Sequence, residues 1–192
     1  MEKIPNDFSE QIGIMDRNQY WTIMECSLTC GDDQETQLDF LREALRSLPL
    51  KDLAGFQILT DQLRYESYTT DLWCACFLMN DGASDDCFEY FRCWLITRGR
   101  EVFENAVKNP DSLTDVVTGD EEFFDCESLM YLASEVFEER TGEENDLNEY
   151  INYEKFSLAE GNYPKPVFRW SEDDPESQKK ICPRLYAMYA QE

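Results

Sequence analysis

Apolar residues recur every three or four positions along most of the chain, which is the period of an amphipathic helix. The first such stretch begins with the capping residue Asp16 and ends at Gly31. Its apolar positions are Trp21, Met24 and Leu28. The second helix is predicted to begin at Asp32 and to end before Pro49. Its apolar positions are Leu38, Leu41, Leu45 and Leu48.

The middle of the chain continues the same pattern. A third helix carries Leu53, Phe56, Leu59 and Leu63. The run Leu72 to Met79 is apolar on all sides, which predicts the most buried helix. Ser84 is a good N-cap for the next helix, which Gly99 ends. A short helix then stops before Pro110, with Val102, Phe103, Ala106 and Val107 as its apolar positions.

A long helix is predicted from about Glu121 to Gly142, and the helical signal fades after Asp146. Residues 161–183 set apolar side chains among Gly, Pro and acids, which predicts an irregular C-terminal tail on the surface. Strand alternation is nearly absent. The pattern therefore predicts an all-α fold in a single compact helical domain, residues 16–192, after an N-terminal extension, residues 1–15. Its core is expected to include Trp21, Leu41, Trp73, Phe88, Phe91, Trp94 and Phe137.

The charge of the chain changes this picture most. There are 41 Asp and Glu against 17 Lys and Arg, a net charge of −24, together with 12 Phe, 10 Tyr and 4 Trp. So many aromatic residues indicate a folded protein and not a disordered acidic tail. Such a surface repels nucleic-acid phosphates and anionic membranes and attracts basic proteins. The charge could equally serve solubility alone.

The chemistry of the side chains argues against an enzyme. The chain has no histidine, which removes the usual triads and the commonest general base. Cys26 and Cys30 have a spacing that could chelate a metal, whereas Cys74 and Cys76 would point apart on a helix. We expect no metal and no cofactor. Without a secretory signal or a long apolar run, a cytoplasmic protein with free, mostly buried thiols is predicted.

The polar block from Ser84 to Arg100 has two possible interpretations. Asp85 and Asp86 could bind a divalent ion in a hydrolase, or they could occupy the first turn of a helix, where the helix dipole favours acids. Arg92 and Arg100 are the expected partners of these acids. The structural interpretation is preferred. It covers Ser84, Asp85, Asp86, Arg92, Trp94, Gly99 and Arg100.

The segment 120–149 holds twelve acidic residues and one basic residue, Arg140, a net charge of −11. Ordinary exposed helices mix Glu with Lys, so an outward acidic face without compensating cations is expected here. This face predicts a docking surface for a basic protein, and Phe123 is expected in the core. The predicted contact residues are Glu135, Glu138, Glu139, Glu143, Glu144, Asp146, Tyr131 and Tyr150.

Several motifs resemble the bacterial domain-of-unknown-function family DUF4240. They are Tyr20-Trp21-x-Ile23, Leu72-Trp73-x-Ala75, the block from Asp81 to Arg100 with Ser84-Asp85-Asp86 at its centre, and Asn109-Pro110-Asp111-Ser112-Leu113. The resemblance runs from about Asp16 to the C-terminus. It departs from the family at Ala83, where members often carry Cys. It implies a helical bacterial cytosolic protein and supplies no activity.

The functional hypothesis rests on the charge. We expect a monomeric immunity protein that neutralises a cognate bacterial toxin by direct binding, with no direct contact to nucleic acid or membrane. One alternative is a DNA mimic or another regulatory interaction protein. A second is a metal-dependent hydrolase that uses Asp85 and Asp86.

Overall fold

The computed structural model describes residues 1–31, 33–119, 123–142, 144–158, 163 and 165–190. These residues form an all-α fold, as predicted, and the only β pairing among them is one bridge between Ser171 and Asp174. The helices are α1 (Phe8–Gln11), α2 (Arg17–Ser27), α3 (Gln34–Arg46), α4 (Leu50–Glu66), α5 (Thr70–Met79), α6 (Asp85–Thr97), α7 (Arg100–Lys108), α8 (Ser128–Thr141), α9 (Pro175–Ile181) and α10 (Pro183–Tyr189). Short 3₁₀ helices span Pro110–Asp115, Leu147–Tyr150 and Tyr153–Phe156.

Side-chain caps fix several helix starts where the sequence places them. The Asp16 carboxylate accepts hydrogen bonds from the backbone N–H groups of Asn18 and Gln19, both at 3.0 Å. The cap of α3 is Asp33, whose Oδ1 accepts from Thr36 N–H at 2.8 Å. The predicted cap, Asp32, lies outside the described residues. The sequence prediction was wrong by one residue because two consecutive aspartates offer the same capping chemistry.

Helix α8 begins at Ser128 and not near Glu121 as predicted. Residues 120–122 lie outside the described residues, and residues 123–126 are not helical. Their backbone hydrogen bonds go to other partners: Phe124 N–H donates to Asn80 Oδ1 at 2.9 Å, and Cys126 N–H donates to the Tyr90 carbonyl at 3.1 Å. These bonds take the donors that a helical turn would need.

The described chain divides into two compact units. Unit 1 comprises residues 1–63 and 127–162, and unit 2 comprises residues 64–126 and 163–192. The single-domain organisation of residues 16–192 stays a prediction. All seven residues predicted for the core are buried. No described helix is both long and apolar enough to cross a membrane.

The N-terminal segment of unit 1 belongs to its core. Phe8 is 1% exposed, and its ring centroid lies 5.7 Å from that of Phe137 and 5.4 Å from that of Tyr150. Met15 N–H donates to the Gly55 carbonyl at 3.2 Å. A Cβ atom on Gly55 would lie 2.7 Å from the Gly13 carbonyl oxygen, so glycine permits this close approach. Residues 1–15 therefore form part of the folded unit.

Unit 2 is built around α5, which is buried along nearly its whole length as predicted. The Trp73 ring stacks on Phe88 with centroids 4.5 Å apart. Trp170 is also buried, and its indole N–H donates to the Thr70 carbonyl at 2.6 Å. Unit 2 therefore has its own aromatic core.

The C-terminal residues are more ordered than the sequence indicates. Residues 165–170 are irregular, as expected, but the chain then forms α9 and α10. The Asp111 carboxylate accepts hydrogen bonds from the backbone N–H groups of Arg184 and Leu185, at 2.9 and 3.0 Å. Pro175 and Pro183 are the first residues of these two short helices, a position where proline is common. The prediction of an irregular tail assigned these prolines to loops instead.

Candidate acidic docking surface

Helix α8 separates a buried apolar face from a polar face. Its buried side chains are Leu129, Leu132, Ala133, Ser134, Val136, Phe137 and Thr141. Tyr131, Glu135 and Glu138 are spaced by four and three residues, so they share the opposite face. Tyr131 is 48% exposed, and both glutamates are half-buried. Three of the predicted contact residues thus share one helical surface in unit 1.

Two arginines on α3 neutralise part of this face. Arg42 Nη1 donates to Glu135 Oε2 at 2.8 Å and lies 3.8 Å from Glu139 Oε1. Arg46 donates to Glu139 Oε2 through Nε at 2.9 Å and through Nη2 at 2.8 Å. The two arginines are four residues apart on α3, and the two glutamates are four residues apart on α8. The expectation of a face without compensating cations is therefore wrong for Glu135 and Glu139.

Arg140, the single basic residue of the acidic segment, also has internal partners. Its Nη2 donates to Glu2 Oε2 at 2.5 Å, and its Nη1 donates to the Leu48 carbonyl at 2.6 Å. These bonds hold the N-terminal residues and the end of α3 close to α8 within unit 1. The guanidinium therefore serves the fold of the unit.

An open cleft lies at the C-terminal end of α8. Gly142 has a φ of 128°, a conformation that favours glycine, and its N–H donates to the Glu138 carbonyl at 2.8 Å. A Cβ atom at Gly142 would lie 2.9 Å from both carboxylate oxygens of Glu144. The cleft has a volume of about 360 Å³ and is lined by Met1, Glu138, Glu139, Gly142 and Glu144. Three glutamates therefore line one depression, and the carboxylate of one of them, Glu139, is paired with Arg46.

The other predicted contact residues have different surroundings. Asp146 is exposed, but its carboxylate accepts from Asn148 N–H at 2.9 Å and so caps a 3₁₀ helix. The Tyr150 ring lies against Phe8 and Phe137, so it is half-buried core and not a free surface anchor. Glu143 lies outside the described residues.

Phe123 is 72% exposed, so its expected place in the core is wrong. Its neighbours Phe124 and Cys126 are each 1% exposed. Burial alternates along this non-helical segment, with Phe124 and Cys126 buried and Phe123 and Asp125 exposed. The sequence reasoning erred because it extended a helix through this segment.

The side chains of the block from Ser84 to Arg100 contact other parts of the chain. Ser84 Oγ accepts from Cys87 N–H at 3.2 Å, and Asp85 and Asp86 are exposed in the first turn of α6. Arg92 is buried, and its bonds go to the carbonyls of Phe88 and Arg64, at 3.2 and 2.6 Å.

Arg100 donates to Glu104 at 2.7 Å. The predicted pairing with Asp85 and Asp86 is wrong for Arg92, whose partners are these two carbonyls and, at 3.9 Å, the Glu89 carboxylate. An exposed acid in a first helical turn is already stabilised by the dipole and by water. A buried guanidinium needs fixed carbonyl acceptors instead. The rest of the block has local roles: Trp94 is buried, and Gly99, with φ 89°, precedes α7.

The eight cysteines are free. Cys26 and Cys30 are exposed, Cys87 is half-buried, and the other five are buried. Among the described residues, no group of three or more His, Cys, Asp or Glu side chains is placed to hold a metal ion.

A family model described as a protein of unknown function, DUF4240, matches residues 15–139. The chain belongs to the DUF4240 family. This confirms the resemblance seen in the sequence, although the match does not extend to the C-terminus. Comparison with curated proteins and with solved structures yields no match.

The DUF4240 match ends at Glu139, within α8. Tyr131, Glu135 and Glu138 therefore lie inside the matched region, whereas Gly142 and Glu144 follow it. Residues 1–14, which include the buried Phe8, precede it. The acidic cleft is thus built by the end of the family region together with residues on either side of it.

Sequence reasoning missed Arg42 and Arg46 as parts of this surface. A signal was present: the two arginines are spaced by four residues in one predicted helix, and Glu135 and Glu139 have the same spacing in another. Matching charge patterns on two helices can form a ladder of ion pairs. Because the paired residues are 93 positions apart, the sequence alone did not show that these two helices are neighbours.

Proposed function

We propose that this protein is an immunity protein that neutralises a cognate bacterial toxin by binding a basic surface of the toxin. The observation that carries the proposal is the cleft at the end of α8, which Glu138 and Glu144 line together with the arginine-paired Glu139. A lysine or arginine side chain of a partner matches such a depression in size and charge. The net charge of −24 would steer a basic partner toward it.

We assign different roles to the acidic residues of this surface. Glu135 and Glu139 hold α3 against α8 through Arg42 and Arg46, so they contribute mainly to the fold. Glu138 and Glu144 are better suited to a partner. Exposed Tyr131, on the same face as Glu138, supplies an aromatic anchor of the kind that often dominates interface energetics.

The first experiment identifies the partner by pull-down from the native host with the full chain as bait. Recovery of a secreted toxin supports the proposal, and recovery of a DNA-binding protein would instead support DNA mimicry. Association of the purified pair is then measured with Glu138→Lys/Glu144→Lys. We expect association about tenfold slower at low ionic strength, with the difference shrinking as salt is added.

The control is Glu25→Lys/Glu154→Lys, which makes the same change in net charge at two other exposed acids of unit 1. If both double variants slow association equally, the effect comes from the total charge and the cleft has no special role. If neither does, the acidity serves solubility, and the proposal fails.

A further inference from the structure

The turn between α5 and α6 brings two cysteines together. Cys76 lies in the last turn of α5 and Cys87 in the first turn of α6. Gly82, with a φ of 130°, helps to reverse the chain between them, and its N–H donates to the Phe77 carbonyl at 2.9 Å. The sulfur atoms of the two cysteines are 3.9 Å apart. A disulfide between them requires an approach to the bonding distance of about 2 Å.

Asn80 holds this pair in place. Its Oδ1 accepts from Phe124 N–H at 2.9 Å, which fixes the orientation of the amide. The Nδ2 group then lies 3.6 Å from Cys76 Sγ, 3.6 Å from Cys87 Sγ and 3.4 Å from the Phe124 carbonyl. One amide group therefore donates toward both sulfur atoms, and it can stabilise negative charge on either of them.

The two thiols differ in accessibility and acidity. Cys87 is half-buried, and the hydrogen bond from Cys76, helped by Asn80, lowers the pKa of Cys87 to about 7 against the opposing effects of burial and Asp125. Burial raises the pKa of Cys76 well above its ordinary value. An accessible thiolate beside a buried thiol is the arrangement in which one cysteine attacks an oxidant and the other resolves the product.

We propose that Cys76 and Cys87 form a redox-active dithiol that a hydroperoxide converts to a disulfide. The Cys87 thiolate attacks the terminal peroxide oxygen, the O–O bond breaks, and the leaving oxygen takes a proton to become an alcohol or water. The sulfenic acid formed on Cys87 is then attacked by Cys76 sulfur. Its S–O bond breaks, and the oxygen leaves as water with the Cys76 proton. The dithiol thus supplies the two electrons that reduce the peroxide.

The other cysteines provide internal comparisons. Cys93 lies on the same helix as Cys87, but burial raises its pKa to about 12. Cys74 and Cys182 are both buried, and a hydrogen bond between them together with burial raises the pKa of Cys182. Only Cys87 combines access to the surface with a lowered pKa among the cysteines whose pKa is shifted.

The test treats the reduced full chain with hydrogen peroxide, alkylates the remaining thiols and maps the peptides by mass spectrometry. We expect a peptide linked through Cys76 and Cys87, lighter by two hydrogen atoms, and oxidation of Cys87 at least about tenfold faster than that of Cys93. Oxidation of Cys87 no faster than Cys93, or products without the Cys76–Cys87 link, would overturn the proposal.

Three variants assign the steps, each checked for native helix content by circular dichroism. Cys76→Ser should stop the reaction at a sulfenic acid on Cys87, which dimedone traps. Cys87→Ser should leave Cys76 as a thiol, and its oxidation at the wild-type rate would contradict the proposed order. Cys26→Ser/Cys30→Ser removes two exposed thiols and should leave formation of the Cys76–Cys87 disulfide unchanged.

Discussion

Arg92 Nη1 donates a hydrogen bond of 2.6 Å to the carbonyl oxygen of Arg64, at the end of α4. The same guanidinium lies 5.1 Å from the ring centroid of Tyr68, 4.9 Å from that of Phe88 and 5.6 Å from that of Tyr163. A buried charge of this kind depends on fixed acceptors and on aromatic faces, since water is excluded. Arg92 therefore joins several parts of unit 2 through one planar group.

Replacement of Arg92 should destabilise the protein strongly. Arg92→Ala removes the guanidinium's hydrogen bonds to the Arg64 and Phe88 carbonyls and opens a cavity, so we expect a loss of about 3 kcal/mol in the free energy of unfolding. Arg92→Lys should recover little, because an ammonium group cannot reproduce the planar contacts. Urea denaturation measures the free energy of unfolding of both variants. Arg100→Ala is the matched control, since Arg100 is exposed and pairs with Glu104 one turn along α7; an equal loss there would refute the role of Arg92.

Trp94 offers a test of the core of unit 2. Its ring packs 5.4 Å from Phe91 and 5.0 Å from Phe124, measured between centroids. Trp94→Ala should therefore cost about 3–5 kcal/mol in unfolding free energy. Phe123→Ala, at an exposed aromatic, should change it by less than about 0.5 kcal/mol. Thermal or urea unfolding compares the two, and a larger loss for Phe123→Ala would contradict the burial pattern.

Phe8→Ala tests whether the N-terminal segment belongs to the folded unit. Because Phe8 is buried against Phe137 and Tyr150, we expect a loss of about 3 kcal/mol or more. Ile14→Ala removes an apolar side chain that is 44% exposed in the same segment, and it should cost far less. Similar unfolding curves for Phe8→Ala and the wild type would show that residues 1–15 are dispensable for stability.

The thiols should respond differently to pH. The pKa of Cys87 is lowered to about 7, so its thiolate form, and with it the rate of alkylation by iodoacetamide, should rise through neutral pH and level off above about pH 8. Below pH 6 the thiol is protonated and the reaction should be slow. Cys93, with its pKa raised to about 12, should remain unreactive across this range. Alkylation stopped after set times, followed by peptide mapping, measures the modification of Cys87 and of Cys93 in the same sample.

Tyr131 and Glu138 should affect different rates of partner binding. Tyr131→Ala removes an exposed anchor and should raise the dissociation rate about tenfold or more, with little change in association. Glu138→Lys should act mainly on association at low salt. Surface plasmon resonance with the captured partner separates the two rates. Equal effects of both variants on association would contradict this division.

The sequence was most informative where structure is set locally. The caps at Asp16 and Ser84 and the all-round apolar helix α5 follow from neighbouring residues, and the structure confirms all three. The ion pairs between α3 and α8 join residues 93 positions apart, and no local pattern fixes such a pairing. The contact between Phe8 and Phe137 also joins residues far apart in the sequence, so no local pattern predicts it. The cap of α3 shows that a local rule can also miss by one residue. Asp32 and Asp33 are adjacent and have the same side chain, so the capping pattern did not distinguish between them.

The place of Phe8 also fixes an order of events during synthesis. Phe8 is made more than a hundred residues before its aromatic neighbours Phe137 and Tyr150. The contacts of Phe8 with these two rings can therefore form only after residues 64–126 have been made. Contacts of such long sequence separation close slowly, and exposed apolar segments in nascent chains are sites where chaperones bind. Completion of unit 1 consequently follows the synthesis of residues 127–162.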